Sequence, residues 1–491
     1  MAAAPLACTV EIGDGTYWVP GTWTDFTTRV HSFSVQGGFQ SPWIPPLLWQ
    51  PLRCSVVVDN SDRALDPRNT SSAYYSSTLA GLTIRPGSPI RIKIDTVGLF
   101  YGQIADMSIG DTRSPSTKVT ITGHDGATIL DRTSVTPYAV AEGAGEDMID
   151  RLARLAEAAE WPAAMRSFDA EPDVTMQATT LAGSIWKQMQ LTAASGGGYI
   201  FIDQASSPGA LLYRERSYDA TVSVARYFSN STSAAKGVSV RVGQSSGLGE
   251  VRNQVRFQRV NGTEQKVEDT DSIADLGIFD YSKTDLICED DSTVADLAAI
   301  ALSVAPKARP QIVTLEADTA TGSWQNEMKY SRIGDRVEII EEVRNTANTV
   351  LYTITQESFI RSASWVGTRH TAAGAFHIKA TFGVQPSWAW DSFTLNSSTK
   401  GVLGQNVTVP TSDGTAFADE HVFVSGDELY AAELNSLMDM RWQTFDDAAA
   451  RNASYSANVP STGTHPITLL LDTGLIEIWD GSQWLPFATV S

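Results

Sequence analysis

Asp59-Asn60-Ser61-Asp62, followed by Asp66-Pro67 and Asn69, puts acid and amide groups at the density of a cation loop. The apolar run at 56–58 stops there, and Tyr74 and Tyr75 restart apolar contact. An EF-hand calcium loop needs acids or amides at alternate positions and then glycine. Counted from Asp59, those positions fall on Ser61 and then Arg63, a cation that cannot ligate calcium. Asp and Asn side chains that bond their own backbone end a strand and turn a corner. The stretch is read as a turn.

Gly243-Gln244-Ser245-Ser246-Gly247 matches the GxSxG nucleophile elbow in letters. The elbow needs a strand before the serine and a helix after it; here the following residues, 251–260, carry strand alternation. An inter-strand loop is the better reading. The six histidines (His31, His124, His370, His377, His421, His465) form no HExxH, and no GxxxxGK[ST] phosphate cradle occurs. His370 and His377 stand seven apart across Thr-Ala-Ala-Gly. A turn-flanking pair and a metal pair are both open there. Glu289-Asp290-Asp291 precedes a helical pattern, whose positive N-terminal end favours acid for structural reasons. No catalytic, cofactor-binding or metal-binding residue is assigned, and no enzymatic activity or cofactor is expected.

These residues sit in a chain of 491, too long for a single core. With 42% hydrophobic and 19% charged residues, the composition is that of a folded protein. Lys and Arg number 36 against 56 Asp and Glu, so the formal charge is −20. That balance argues against wrapping nucleic acid or docking on an anionic membrane, yet suits a surface past which DNA slides. Half of the charge falls after residue 400. Cys8, Cys54 and Cys288 form neither a disulfide framework nor a CxxC pair, as expected of buried thiols from a reducing cytoplasm. The first fifteen residues lack a basic n-region, and no apolar run nears the roughly 20 residues of a spanning helix.

Up to residue 133 the pattern is β. Ile90, Ile92 and Ile94 alternate with Arg91 and Lys93, and Val119 and Ile121 repeat the period. Residues 134–215 change to an α+β module: apolar positions recur at helical spacing over 146–160 and about 179–194, and a hairpin pattern follows from Ser195. Strand patterns return over 216–390, with a helical insertion at about 260–310 whose helix starts near Ser292. Residues 391–424 read as a linker. Residues 425–491 read as a helix opened by a Ser425/Glu428 capping box, carrying Tyr430, Leu434, Leu437 and Met438 on one face, then a hairpin around Asp480-Gly481.

A series of motifs then narrows the class. "GTWTDFTTRVHSFSVQGG", "CSVVVDNSDRALDPRNTSSAYY" and "LTIRPGSPIRIKI" come in that order, followed by "VRNQVRFQR", the helix after "DDST", and "SRIGDRVEII". Over about residues 10–390 the chain resembles minor tail proteins and tail-associated hub proteins of phages with long non-contractile tails, the actinobacterial type above all. The resemblance implies a mainly β fold with α+β insertions: two tail-tube-like barrels per chain, residues 1–133 and 216–390, plus the small C-terminal extension. It further implies a homotrimer at the tail tip, assembled in the host cytoplasm. Two barrels in each of three chains present six similar units to a sixfold ring of distal tail protein. The partners implied are that ring, the C-terminus of the tape measure protein, other tail-tip or fibre proteins, and genomic DNA in transit without specific binding. The alternative is a distal tail or receptor-binding protein that recognises a host surface glycan.

Overall fold

The computed structural model describes residues 6–39, 47–110, 117–135, 142–169, 174–204, 206, 208–215, 218–230, 241–245, 251–304, 311–318, 325–370 and 375–387, and four strands between 443 and 489. The chain divides into two compact units, Met1–Phe393 and Thr394–Ser491.

In the first unit, the N-terminal block gives, besides three strands of two or three residues, six longer ones: β1 (Leu6–Gly13), β2 (Val30–Phe39), β3 (Trp49–Asp59), β4 (Pro89–Ile94), β5 (Val97–Ile109) and β6 (Lys118–His124). An α+β insertion follows, with helices α1 (Ala127–Arg132), α2 (Met148–Ala158) and α3 (Ile185–Gly196). Strands β7 (Arg166–Phe168), β8 (Tyr199–Asp203) and β9 (Ala210–Arg214) form its sheet, in the order β7-β9-β8. Asp147 accepts a hydrogen bond from the Ile149 N–H and so caps α2, and Ser184 caps α3 through the Lys187 N–H. Beyond lie β10 (Arg226–Ser229) and β11 (Arg241–Ser245), then a module in which α4 (Asp291–Val304) covers a sheet of β12 (Gln254–Arg259), β13 (Gln265–Glu268) and β14 (Asp280–Leu286). This module has its own core, built from Val255, Phe257, Leu286, Cys288, Val294, Leu297, Ala298 and Ala301. Four strands complete the unit: β15 (Gln311–Asp318), β16 (Arg336–Arg344), β17 (Val350–Arg369) and β18 (Ala375–Pro386).

Eight strands close into an antiparallel barrel, β17-β2-β3-β6-β5-β4-β1-β18, with β18 returning to β17. The period-2 pattern sets its inner face. Val10, Val35, Val56, Val58, Ile90, Ile92, Ile94, Val119, Ile121, Phe376, Ile378 and Phe382 are all but fully buried. Cys54 and Ile90 both approach Gly123, although β4 does not pair with β6, so side chains meet across the interior. An eight-stranded barrel is just wide enough to be filled by side chains. This one is a packed core and not a pore.

Two of the eight staves lie more than 200 residues beyond the others in sequence. The strand β17 pairs with β16 over residues 350–359 and with β2 over 362–368, so it passes from one sheet into the next. Its hairpin partner β18 meets β1 at Ala375 and Phe376 and β15 over 379–383. A second run of strands, β10-β16-β17-β18-β15-β11, therefore grows from the same hairpin. The Gln356 side-chain amide bonds both the N–H and the carbonyl of Ile312, joining β17 to β15, two strands whose backbones do not pair with each other. At the hand-over Gly38, with φ +130, lies so close to β17 that a Cβ would meet the Arg361 carbonyl oxygen at 2.4 Å.

In the second unit, β19 (Gln443–Phe445), β20 (Ile467–Leu470), β21 (Leu475–Trp479) and β22 (Trp484–Thr489) form a sheet in that order, with Trp479 paired to Trp484 in the expected hairpin. The expected linker, the helix beginning at Ser425 and the Asp480-Gly481 turn lie outside the described residues.

Candidate functional site: an assembly scaffold

The polar stretch after β3 is a corner. Asn60 is fully buried; its N–H donates to the Thr117 carbonyl and its Oδ1 accepts from the Leu65 N–H at 2.8 Å. Asp59 accepts from the Ser61 backbone and hydroxyl, Asp62 from the Ala64 N–H, and Asp66 from the Arg68 N–H. Arg63 takes φ 59 to make the turn. The remaining charge of Asp62 is met by Arg29 at 2.6 Å, and that pairing holds its carboxyl below the usual range. The oxygens are committed to the loop's own backbone and side chains and to Arg29, just before β2.

The other sequence candidates separate in space. Ser245 ends β11, and the next described element is the strand β12, so no helix follows the GxSxG serine among the described residues. Asp291 is the first residue of α4 itself, one earlier than Ser292. It binds Arg259 at 2.6 Å and the Thr263 N–H, tying the helix start to the β12–β13 turn. All three cysteines are buried thiols; burial pushes Cys54 up to about 12 and Cys288 to about 11. His370 and His377 do come together, with ring centroids 4.2 Å apart. No group of three or more His, Cys, Asp or Glu is placed to hold a metal among the described residues. No helix among them is long and apolar enough to cross a membrane.

The sequence reading missed the seam between the barrel and the α+β insertion. Arg361 sits at the bulge where β17 changes partners, between Ile360 and Ser362. Its side chain is fully buried and paired with Asp219, which is 1% exposed. Arg361 Nε donates to Gln385 Oε1 at 2.9 Å, and the Tyr199 hydroxyl donates to Asp219 at 2.7 Å. The guanidinium also lies against the rings of Phe39, Tyr199 and Phe359. Buried Asp125 accepts from the Ala127 N–H at the start of α1, from Trp49 Nε1 and from the Leu52 N–H. Burial raises its pKa to about 7 against the pull of those three donors. Arg361 and Asp219 are 142 residues apart, and neither belongs to a local motif that would announce the pair.

At the opposite extreme of exposure, the β16–β17 hairpin ends in Val350 and Leu351, which are 39% and 60% exposed. Val19, on the loop after β1, is 70% exposed, while its neighbour Tyr17 is buried against Tyr101 and Trp161.

Comparison with solved structures agrees with that architecture. A tail protein from Neisseria meningitidis superposes with a TM-score of 0.50 at 14% identity, covering 77% of this chain and 96% of that one. The mainly β fold with its closed eight-stranded barrel is thus a tail-protein fold. A 43 kDa tail protein of prophage MuSo2 from Shewanella oneidensis gives 0.47 at 12% identity, over 78% and 98% of the two chains. An E. coli type VI secretion component, itself described as similar to T4 phage tail proteins, gives 0.40 at 9% identity, over 80% and 83%. No protein-family model matches the chain, and no curated protein matches it in sequence.

Proposed function

We propose that this chain is a structural virion protein, the trimeric hub at the tail tip of a phage with a long non-contractile tail, and that it works without catalysis. The observation that carries the reading is the shared hairpin. A single tube-like barrel per chain would need no strand passing from one sheet into another. Here β17 and β18 give staves to the closed barrel and also begin a second run of strands, so two sheet systems are fixed to each other by backbone. We take the second system to be the counterpart of the first, giving the two similar units per chain that let three chains meet a sixfold distal tail ring.

The filled barrel adds a constraint. DNA leaving the tail would pass between copies, past a chain of net charge −20 that repels phosphate. The tape measure C-terminus would end above that passage, and other tail-tip or fibre proteins would attach below. Residues 425–491 would serve that attachment. An extension of that size has too little core to offset the roughly 1–2 kcal/mol per residue of backbone ordering by itself.

The test is the symmetry of the tail tip in a particle average. Threefold density that accepts residues 6–387 once per chain is expected. A sixfold ring of single copies would instead make this a distal tail protein, and clearing of a peptidoglycan zymogram by the purified chain would overturn the non-enzymatic role.

A further inference from the structure

The tip of the β17–β18 hairpin carries a pair of histidines. His370 closes β17: its N–H donates to the Ala375 carbonyl at 2.9 Å, at the head of β18. The register pairs Thr368 with His377, which puts His370 and His377 diagonally opposed on one face of the hairpin. Their rings lie 4.2 Å apart, centroid to centroid, at 62°. His370 is exposed and His377 half-buried, so solvent reaches the pair. The Nδ1 of His377 is shielded from water and has no hydrogen-bond partner among the described residues. A buried polar atom left in that state costs free energy unless something binds it.

We propose that His370 and His377 form a two-imidazole chelate for a late first-row divalent metal, with Cu²⁺ held more tightly than Ni²⁺ or Zn²⁺, that staples the tip of the β17–β18 hairpin. Imidazole is the ligand type these ions share, and their affinities for nitrogen sites follow the order that peaks at copper. Two ligands from adjacent strands make an open site completed by water, in keeping with the lack of any third His, Cys, Asp or Glu grouped with them among the described residues. A chelate across these strands would hold together the ends of the two staves that close the barrel beside β1.

The experiment uses the full-length chain with no histidine tag, titrated calorimetrically with copper, nickel and zinc salts, and copper electron paramagnetic resonance to count nitrogen ligands. We expect one copper per chain with two nitrogen donors. His370→Ala and His377→Ala should each weaken it by more than about tenfold, the least that loss of even an outer-shell partner usually costs. His31→Ala should leave binding unchanged. A rise in unfolding temperature with copper should vanish in His370→Gln, whose metal-free unfolding temperature should match that of the parent. Full copper affinity in the His370→Ala/His377→Ala double variant, or no binding by the parent chain, would overturn the proposal.

Discussion

The barrel and the seam against which the α+β insertion packs are equally dry but differently built. Inside the barrel, Val, Ile and Phe from eight staves meet with almost no polar atom among them. At the seam, Arg361, Asp219, Tyr199 and Gln385 are buried together and hold one another by hydrogen bonds, and Asp125 is buried on its own donors, Trp49, Leu52 and Ala127. An apolar core gains free energy from area and tolerates small changes of shape. A buried ionic network gains little net stability over a hydrophobic substitute but loses much when one member is removed. The barrel therefore provides stability, and the seam fixes how the insertion and the bulged strand β17 meet.

Breaking the seam should have the largest effect. Arg361→Ala strands the Asp219 carboxylate in a dry site and should cost about 3–5 kcal/mol in chemical denaturation. Arg361→Met combined with Asp219→Leu should cost distinctly less than the single change. A loss below about 1 kcal/mol for Arg361→Ala, the ordinary worth of an exposed pair, would remove the distinction between the two regions.

Acid titration tests the seam's other end. The folded-state pKa of Asp125 is raised from 3.8 to about 7, so the folded state holds a proton that the unfolded chain has released. Its contribution is fully present below pH 3.8 and is lost as pH rises through about 7. Asp125→Asn should flatten that part of the stability-against-pH curve, and an unchanged slope would place the titration elsewhere.

The barrel should give way more gently. Ile92→Val removes one methylene from the packed interior and should cost about 0.5–1.5 kcal/mol. At the surface corner, Asp62→Asn breaks the ion pair with Arg29, whose partners are 30% and 49% exposed, and should cost at most about 1 kcal/mol. If Asp62→Asn proved the more damaging of the two, the corner would be bearing load that its exposure does not suggest.

Much of this organisation was legible in the chain itself. Alternation at Ile90, Ile92 and Ile94 gives a strand and its buried face, since successive side chains point to opposite sides. The helices at Met148–Ala158, Ile185–Gly196 and Asp291–Val304 follow from apolar spacing, but the second begins at Ile185 behind its Ser184 cap and not near residue 179, and the third takes in Ser292. The corner after β3 follows from Asp and Asn chemistry, because those bonds run to residues two to six positions away. Only the tertiary structure could decide which strands are neighbours. A period of two says which face is buried and nothing about the partner, so the chain does not announce that β17 and β18 close a barrel begun at Leu6. The same reason hides Arg361: its position at a bulge, its three ring neighbours and its pairing with Asp219 exist only once strands distant in sequence have been brought together.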